Sequence, residues 1–377
     1  MNLAGLYLHV PFCSSVCPYC DFAVTIAGDD RRTAYLDALD REIVLSADLD
    51  LRFDTVYFGG GTPSSLSPAQ LGRILAAIGD NLDFAPDTTR HLEINPDDVS
   101  PATAGAWREL GFSFASLGVQ SFSDEVLGFL GRSHRAADAR RAAETLLDTG
   151  FATVSVDLIF GLPHQTADDW RRQLETVLSL GVQHLSCYQL TIHDGTVFGR
   201  RHARGELREL DDDGQGELYL LTHEILGAAG WQGYEVSNFA TRDEHRSKHN
   251  RKYWDHTPYI GLGPSAHSFV GRRRWWNQRK VRLWTAAIEG DRSPIEGQED
   301  LSDAELFFEA VMLGLRTSDG IDRDTLQQRF GAEVARFDEP AVERLTDSGH
   351  LRCDGPRVCP TPKGMAVAEG LVRTVLR

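Results

Sequence analysis

Short apolar segments recur along the first half of the chain, at residues 5–10 (GLYLHV), 55–60 (TVYFGG), 90–95 (RHLEIN), 114–119 (FASLGV), 153–160 (TVSVDLIF) and 184–190 (HLSCYQL). Their length and their β-branched and aromatic content predict six strands. Between them, apolar residues take helical spacing at 31–47, 67–79, 100–110, 134–150 and 166–181, and several of these stretches open on Ser or Thr and close on Gly. Strands and helices in alternation imply parallel pairing, with each helix covering the sheet. The pattern predicts an α/β fold, an open, partial parallel barrel of six βα units, since a closed barrel of this kind takes eight.

Polar and glycine residues gather where the predicted strands lead into helices, in HVPFC, GGGTPS, EINPDD, GVQSF and DLIFGLP. Those strand ends converge on one rim of a parallel barrel or sheet, where active sites are built. Cys13, Gly60, Glu93, Gln120 and Asp157 are therefore expected around a common cavity. The charged stretch 199–216 reads as a linker or flexible flap, 218–230 as a helix, and an aromatic, glycine-rich region follows to about residue 284. From 301 onward, three helical patterns and a short hairpin predict a small α+β, winged-helix-like domain or a cap on the main domain. The expected division is a core of 1–235, a connecting segment of 236–300 and a C-terminal domain of 301–377.

The formal net charge of -16 repels phosphate and makes nucleic acid an unexpected partner. The basic, aromatic run at 271–282 (GRRRWWNQRKVR) is compatible with RNA contact, with a solvated hairpin or with the carboxylates of a ligand. Residues 1–10 lack the basic start and long apolar run of an export signal, and no stretch offers the roughly 18 apolar residues of a membrane span. A cytoplasmic protein is expected. Six cysteines are too few for a disulfide scaffold; three fall between residues 13 and 20, while Cys187, Cys353 and Cys359 are scattered.

The stretch CSSVCPYC sets Cys13, Cys17 and Cys20 at CxxxCxxC spacing and follows them with DF instead of a fourth cysteine. A structural zinc ion wants four protein ligands, and the fourth would have to be His9 or Asp21. A cuboidal 4Fe-4S cluster held by three thiolates leaves one iron open to a cofactor or substrate. Glycines at 60 and 61 are expected to let backbone groups approach a ligand, Thr62 to add a hydroxyl and Pro63 to fix the turn; an ordinary tight turn is the alternative.

With CxxxCxxC and GGGTPS on one inferred rim, the chain resembles the radical S-adenosylmethionine superfamily, whose members bind the cofactor's methionyl amine and carboxylate at the open iron. LYLHVPFC, CPYCDF, YFGGGTPS, LGVQSF, DLIFGLP and HNRKYW make it similar, over nearly its entire length, to the oxygen-independent coproporphyrinogen oxidase family and its heme-chaperone branch. The resemblance implies a partial barrel of the radical-enzyme type. It places Tyr7 beside S-adenosylmethionine, Gly60, Gly61 and Thr62 at its methionyl end, Glu93 in a hydrogen bond to it, Gln120 and Asp157 at the ribose, and Arg132 at its carboxylate. It also implies an electron donor for the cluster; no side chain is assigned a catalytic role.

The oxidase branch has a longer segment before the cysteine loop and a further cysteine where this chain has Phe22, which counts against porphyrinogen decarboxylation. The heme-chaperone branch carries an HNxxYW signature, matched by His249, Asn250, Tyr253 and Trp254. The imidazole is the implied axial ligand and the two rings the porphyrin surface. His267, in GLGPSAHSF, reads as a cavity residue or a core histidine. The implied function is delivery of heme to a respiratory enzyme, with transient membrane association. A radical enzyme acting on a porphyrin or another substrate, either a coproporphyrinogen III oxidase or a radical methyltransferase, is the alternative.

Overall fold

The computed structural model describes residues 3–376; Met1 and Asn2, the start of the stretch read for an export signal, lie outside the described residues. The six predicted strands form in sequence order, β1 (Ala4–Val10), β2 (Arg52–Gly60), β3 (Asp83–Ile94), β4 (Phe114–Gln120), β5 (Thr153–Phe160) and β6 (His184–Gln189), each parallel to the next. Helices α1 (Asp29–Leu45), α2 (Pro68–Asn81), α3 (Pro101–Glu109), α4 (Asp124–Phe129), α5 (Ala136–Asp148) and α6 (Ala167–Leu180) occupy the connections. Ser67, Ser100 and Thr166 cap α2, α3 and α6 in reciprocal boxes with the residue three further on, so the helix starts are written in the sequence.

Strand alternation divides this sheet into two unlike faces. Leu6, Leu8, Val56, Phe58, Leu92, Leu117, Val154 and Val156 point outward and pack with Leu39, Ile74, Trp107, Leu146 and Trp170 of the helices in one apolar core. The opposite face carries Tyr7, His9, Thr55, Tyr57, His91, Glu93, Ser116, Ser155, Asp157 and His184, aligned by register: Tyr7 lies opposite Tyr57, Tyr57 opposite His91, Glu93 opposite Ser116 and Asp157 opposite Ser186. A parallel sheet usually buries apolar side chains on both faces. Here the inner face is polar and encloses cavities.

The run at 199–216 is not a loose flap. Helix α7 (Val197–Ala203) and the first turn of α8 (Asp212–Ala228) take up much of it. Phe198 and Leu207 bury themselves among Leu130, Ile159, Leu162 and Leu190, and the Phe198 N–H donates to the Pro18 carbonyl at 2.9 Å, so this segment braces the cysteine loop. Two apolar anchors outweigh the polar composition around them.

Beyond α8, β7 (Gln232–Gly233) and β8 (Asn238–Ala240) extend the sheet past β6 in antiparallel sense. After α9 (Lys248–Trp254), β9 (Tyr259–Leu262) pairs parallel with β1, and β10 (His267–Val270), β11 (Arg273–Asn277) and, after α10 (Val281–Glu289), β12 (Ile295–Asp300) continue outward antiparallel. The result is an open twelve-stranded sheet with β12 and β7 at its edges, not a closed barrel.

The last part runs α11 (Asp303–Gly314), β13 (Ile321–Asp322), α12 (Arg323–Phe330), α13 (Glu339–Asp347), β14 (Leu351–Asp354), β15 (Arg357–Pro360), α14 (Pro362–Met365) and α15 (Ala368–Val375). Helix, strand, two helices and a hairpin around a three-stranded sheet give the winged-helix order. Its core of Leu306, Phe307, Phe330, Leu351 and Val372 also takes in Phe269 of β10, so the module is packed against the main sheet. Among the described residues no helix is long and apolar enough to cross a membrane.

Helix α9 is clamped to the start of β2. Lys252 Nζ lies 2.8 Å from Asp54 Oδ1 and 2.6 Å from the Leu3 carbonyl, both side chains of the ion pair being buried, while Lys248, one turn earlier and half exposed, reaches the other Asp54 oxygen at 3.0 Å. Lys252→Ala is expected to cost about 3 kcal/mol, because Asp54 is left buried beside a half-exposed cation. Lys248→Ala should cost about 1 kcal/mol or less. Urea denaturation of the two variants checks the contrast, and equal losses would contradict it.

Candidate functional site

The cysteine loop leaves β1 and is closed at its base by hydrogen bonds from Cys13 N to the Thr25 carbonyl (3.1 Å) and from Thr25 N to the Pro11 carbonyl (2.7 Å). All three thiols are free and partly buried. Thr62 Oγ1 donates to Cys13 Sγ at 3.4 Å and Arg132 Nη1 to Cys17 Sγ at 3.6 Å. Burial pushes the Cys13 thiol up and that of Cys20 up to about 11, so a bound cation is needed to hold these sulfurs as thiolates. Among the described residues no three His, Cys, Asp or Glu side chains converge on one ion position. A polynuclear cluster, in which each thiolate would meet a different iron, does not require that the three sulfurs converge on one point. His9 is also spent as a zinc ligand: its Nε2 bonds the Ala23 carbonyl at 3.0 Å and its Nδ1 the Tyr7 hydroxyl at 3.2 Å.

The glycines at the end of β2 line the cavity of the cysteine loop and also serve the packing of the chain. A Cβ on Gly60, where φ is +109°, would meet the His9 ring at 2.6 Å, and one on Gly61 would meet the backbone of Pro11 and Phe12 at 2.8 Å. They make room for the protein itself. Their absent side chains let Gly61 N donate to the Val10 carbonyl and Thr62 N to the Phe12 carbonyl, both at 2.8 Å, which seats the β2 turn under the cysteine loop.

Cysteines and rim residues open onto one cavity of about 460 Å³, lined also by Gly60, Gly61, Thr62, Glu93, Gln120, Arg132 and Asp157. Glu93 accepts hydrogen bonds from Tyr57 (2.9 Å) and from Gly60 N (3.0 Å); burial, with the nearby Asp157, pushes its carboxyl up to about 7. Asp157 accepts from Ser116 at 3.1 Å, and burial pushes it up to about 6. Arg132 Nη2 donates to Asn95 Oδ1 (2.6 Å) and to the Gly118 carbonyl (2.9 Å), and with Nη1 on Cys17 this residue touches the cysteine loop as well as the cavity. Gln120 sits at a break in the β4–β5 register with φ +62°, a conformation that costs a non-glycine residue about 1 kcal/mol and aims its side chain into the cavity. Gln120 Oε1 and Arg132 Nε are buried without a partner among the described residues. Unused buried polar atoms beside two carboxyls and three thiols mark a place where a polar ligand completes the bonding.

Two further cavities adjoin this one, and Glu93 borders all three. The first, about 370 Å³, lies against α9 and is lined by Tyr7, Tyr57, Asn250, Tyr253 and Trp254. His249 also borders it, with its imidazole hydrogen-bonded inside the protein. The residue is 1% exposed, Nδ1 shares a 2.8 Å hydrogen bond with Thr55 Oγ1 and Nε2 another with the Tyr253 hydroxyl. Both ring nitrogens are occupied, and Tyr57 stacks on the ring at 5.1 Å. The second, about 390 Å³, opens toward β9 and β10 and carries Tyr7, His9, Tyr253, Tyr259 and His267.

Sequence reasoning missed Tyr57, Asn95 and Tyr188 as cavity residues and His9 as the brace of the loop. For Tyr57, Tyr188 and His9 the signal was present in the alternation of β1 to β6, where most inner positions are polar or glycine.

Comparison with known proteins places these features in a family. The Radical SAM superfamily profile matches residues 7–177, and the HemN C-terminal domain profile residues 301–367. The heme chaperone HemW of Mycobacterium tuberculosis (strain ATCC 25618 / H37Rv) is 37% identical over 99% of this chain and 94% of its own length. That of Bacillus subtilis (strain 168) is 32% identical over 96% of each. Among solved structures, coproporphyrinogen III oxidase (HemN) from Escherichia coli superposes with a TM-score of 0.85 at 24% identity, covering 99% of this chain and 90% of that one, a likeness of fold.

The raised carboxyls make stability depend on pH. Glu93 and Asp157 keep their protons in the fold where the unfolded chain has lost them, so the folded state binds more protons and stability falls as pH rises from the ordinary carboxylate range through about 6 and about 7. Thermal melts of ligand-free protein should show that fall, and Glu93→Gln with Asp157→Asn should flatten it. An unaltered slope in the double variant would assign the dependence to the buried Glu42 and Glu235, which burial also pushes up to about 7.

Proposed function

The chain belongs to the HemW heme-chaperone family of the radical SAM superfamily, and from that premise we propose that it binds a 4Fe-4S cluster, S-adenosylmethionine and heme and delivers the heme to a respiratory enzyme. The observation that carries the reading is the shared cavity: three free thiols on one loop face Glu93, Gln120, Arg132 and Asp157 across about 460 Å³. Cys13, Cys17 and Cys20 hold the cluster. Arg132 receives the cofactor's carboxylate, Glu93 its amine, and Gln120 and Asp157 the ribose hydroxyls, each a pairing of charge or donor with acceptor. Thr62 steadies the Cys13 sulfur, and Tyr7 orders His9 and through it the far end of the loop. When bound, the two cofactors supply one-electron chemistry, which draws on an external electron donor.

Heme as cargo is supported by the names of the relatives together with the aromatic walls of the two adjoining cavities, where Tyr7, Tyr253, Tyr259 and Trp254 offer flat surfaces. Phe22, where the oxidase branch carries a further cysteine, is 66% exposed, and Val16 and Ile26 of the same β1–α1 connection are 50% and 59% exposed. This apolar fringe of the cysteine loop suits transient contact with a membrane-embedded acceptor.

Anaerobic reconstitution followed by Mössbauer spectroscopy should find one 4Fe-4S cluster, lost when any of the three cysteines becomes Ser. Four-coordinate zinc in the native protein would overturn the assignment. In cluster-loaded protein, Arg132→Ala is expected to weaken S-adenosylmethionine binding by about 1 to 3 kcal/mol, read by calorimetric titration. Heme-loaded protein mixed with a heme-free respiratory acceptor should restore its spectrum and activity without decarboxylating coproporphyrinogen III. Rapid decarboxylation, or no transfer by the unaltered chain, would sink the chaperone reading.

A further inference from the structure

The cavity that opens toward β9 and β10 carries an imidazole that no other part of the structure uses. The two other histidines on the walls of this cavity and the one against α9 are spent, His9 on the Ala23 carbonyl and the Tyr7 hydroxyl, His249 on Thr55 and Tyr253. His267, by contrast, is exposed at the mouth, and among the described residues neither ring nitrogen has a hydrogen-bond partner. Partial burial holds its pKa below the ordinary value, which favours the neutral ring with a lone pair free for a metal.

The ring is also held in place. It stacks on Trp276 at 5.8 Å and 23°, its cross-strand partner in the β10–β11 ladder. The turn before it is tied from both sides: Gly263 N donates to buried Glu42 at 2.7 Å, Asn277 Nδ2 donates to the Gly263 carbonyl at 2.9 Å, and Ser265 N donates to the Gln278 carbonyl at 3.0 Å. At the same mouth Arg279 donates to the Asp21 carbonyl, and among the described residues no carboxylate pairs with its guanidinium. Tyr253 and Tyr259, edge to face at 4.7 Å, form the apolar wall behind.

A neutral nitrogen donor, flat aromatic surface and an uncompensated cation at the rim together match a planar iron complex that carries carboxylates on one edge. We infer that His267 is the axial ligand of the heme iron at this open cavity and that Arg279 receives a heme propionate. The inference rests on the heme reading above and names the site. It assigns to the HNxxYW residues a structural part: Tyr253 lines this cavity, and His249, which does not border it, holds the Tyr253 hydroxyl at 2.8 Å. An exposed ligand also suits cargo that must leave, which a histidine 1% exposed does not.

Titration of the full, cluster-loaded chain with ferric heme, followed by absorption and electron paramagnetic resonance, tests the assignment. The unaltered chain should give an imidazole-ligated spectrum. His267→Ala should lower affinity by roughly tenfold or more and change the ligand-field signature, with added imidazole restoring the spectrum. Arg279→Gln should weaken binding with the ligand signature kept, and His249→Phe should keep that signature as well. If His267→Ala retains the unaltered spectrum, the ligand assignment is overturned while the chaperone reading stands. If the unaltered chain binds no heme, the chaperone reading itself fails. Unchanged near-ultraviolet circular dichroism of His267→Ala guards against a folding defect.

Discussion

A sheet whose inner face is polar has to satisfy its own buried donors and acceptors, and most of this structure follows from that requirement. Thr55, Tyr57, Glu93, Ser116, Ser155, Asp157 and His184 would each be costly against empty or apolar space. Tyr57 meets Glu93, Ser116 meets Asp157 and Ser155 meets His184 within the six strands, and partners from outside the unit complete the set. His249 of α9 meets Thr55, Tyr234 meets His184 at 2.8 Å, and the segment that carries both closes the lower half of the open barrel. The upper half, toward the strand ends, is left with Gln120 Oε1 and Arg132 Nε unmet. The unmet nitrogens of His91 are sealed between the Tyr57 and Phe114 rings, whereas Gln120 and Arg132 line the cavity of the cysteine loop, where a polar ligand can reach them.

This accounting separates residues that look alike in sequence. HNxxYW and GLGPSAHSF each offer a histidine near aromatic rings, and chemistry alone ranks them equally as metal ligands. Their surroundings rank them differently. Lys252, clamped on Asp54, fixes α9 so that His249 and Tyr253 close on each other and on Thr55. His267 stands on a ladder whose hydrogen bonds are made by backbone, and its ring is held only by stacking on Trp276.

The order of βα units, the open barrel and the gathering of Cys13, Gly60, Glu93, Gln120 and Asp157 were legible because they rest on local signals: strand length, capped helices and polar residues at strand ends. What escaped was set by contacts distant in sequence. The four strands β9 to β12 are short, and β9 owes its place to pairing with β1 more than two hundred residues earlier. The run at 199–216 reads as linker by composition, while Phe198 and Leu207 anchor it through contacts that no periodicity announces. Glycines 60 and 61 were legible as glycines, but the atoms they make room for, the His9 ring and the backbone of Pro11 and Phe12, lie on another strand's exit. His249 was legible as a histidine between aromatics; that both its nitrogens are taken depends on Thr55, a residue with no motif.

The partition between the cavities sets how separable the cofactor and cargo sites are. Glu93 and Gly60 border both the cysteine cavity and the one that opens on His267, and they bond each other through Gly60 N and Glu93 Oε2. His9 fills the space that a Gly60 side chain would need and ties this wall to the Ala23 carbonyl at the end of the cysteine loop. A change at Glu93, Gly60 or His9 therefore disturbs both sides at once. Cys13 borders the cysteine cavity but not the cavity at β10, and His267 the reverse. The wall is thus shared and the proposed ligating atoms are not, so the two proposed binding events can be separated at the ligands but not at the partition between them.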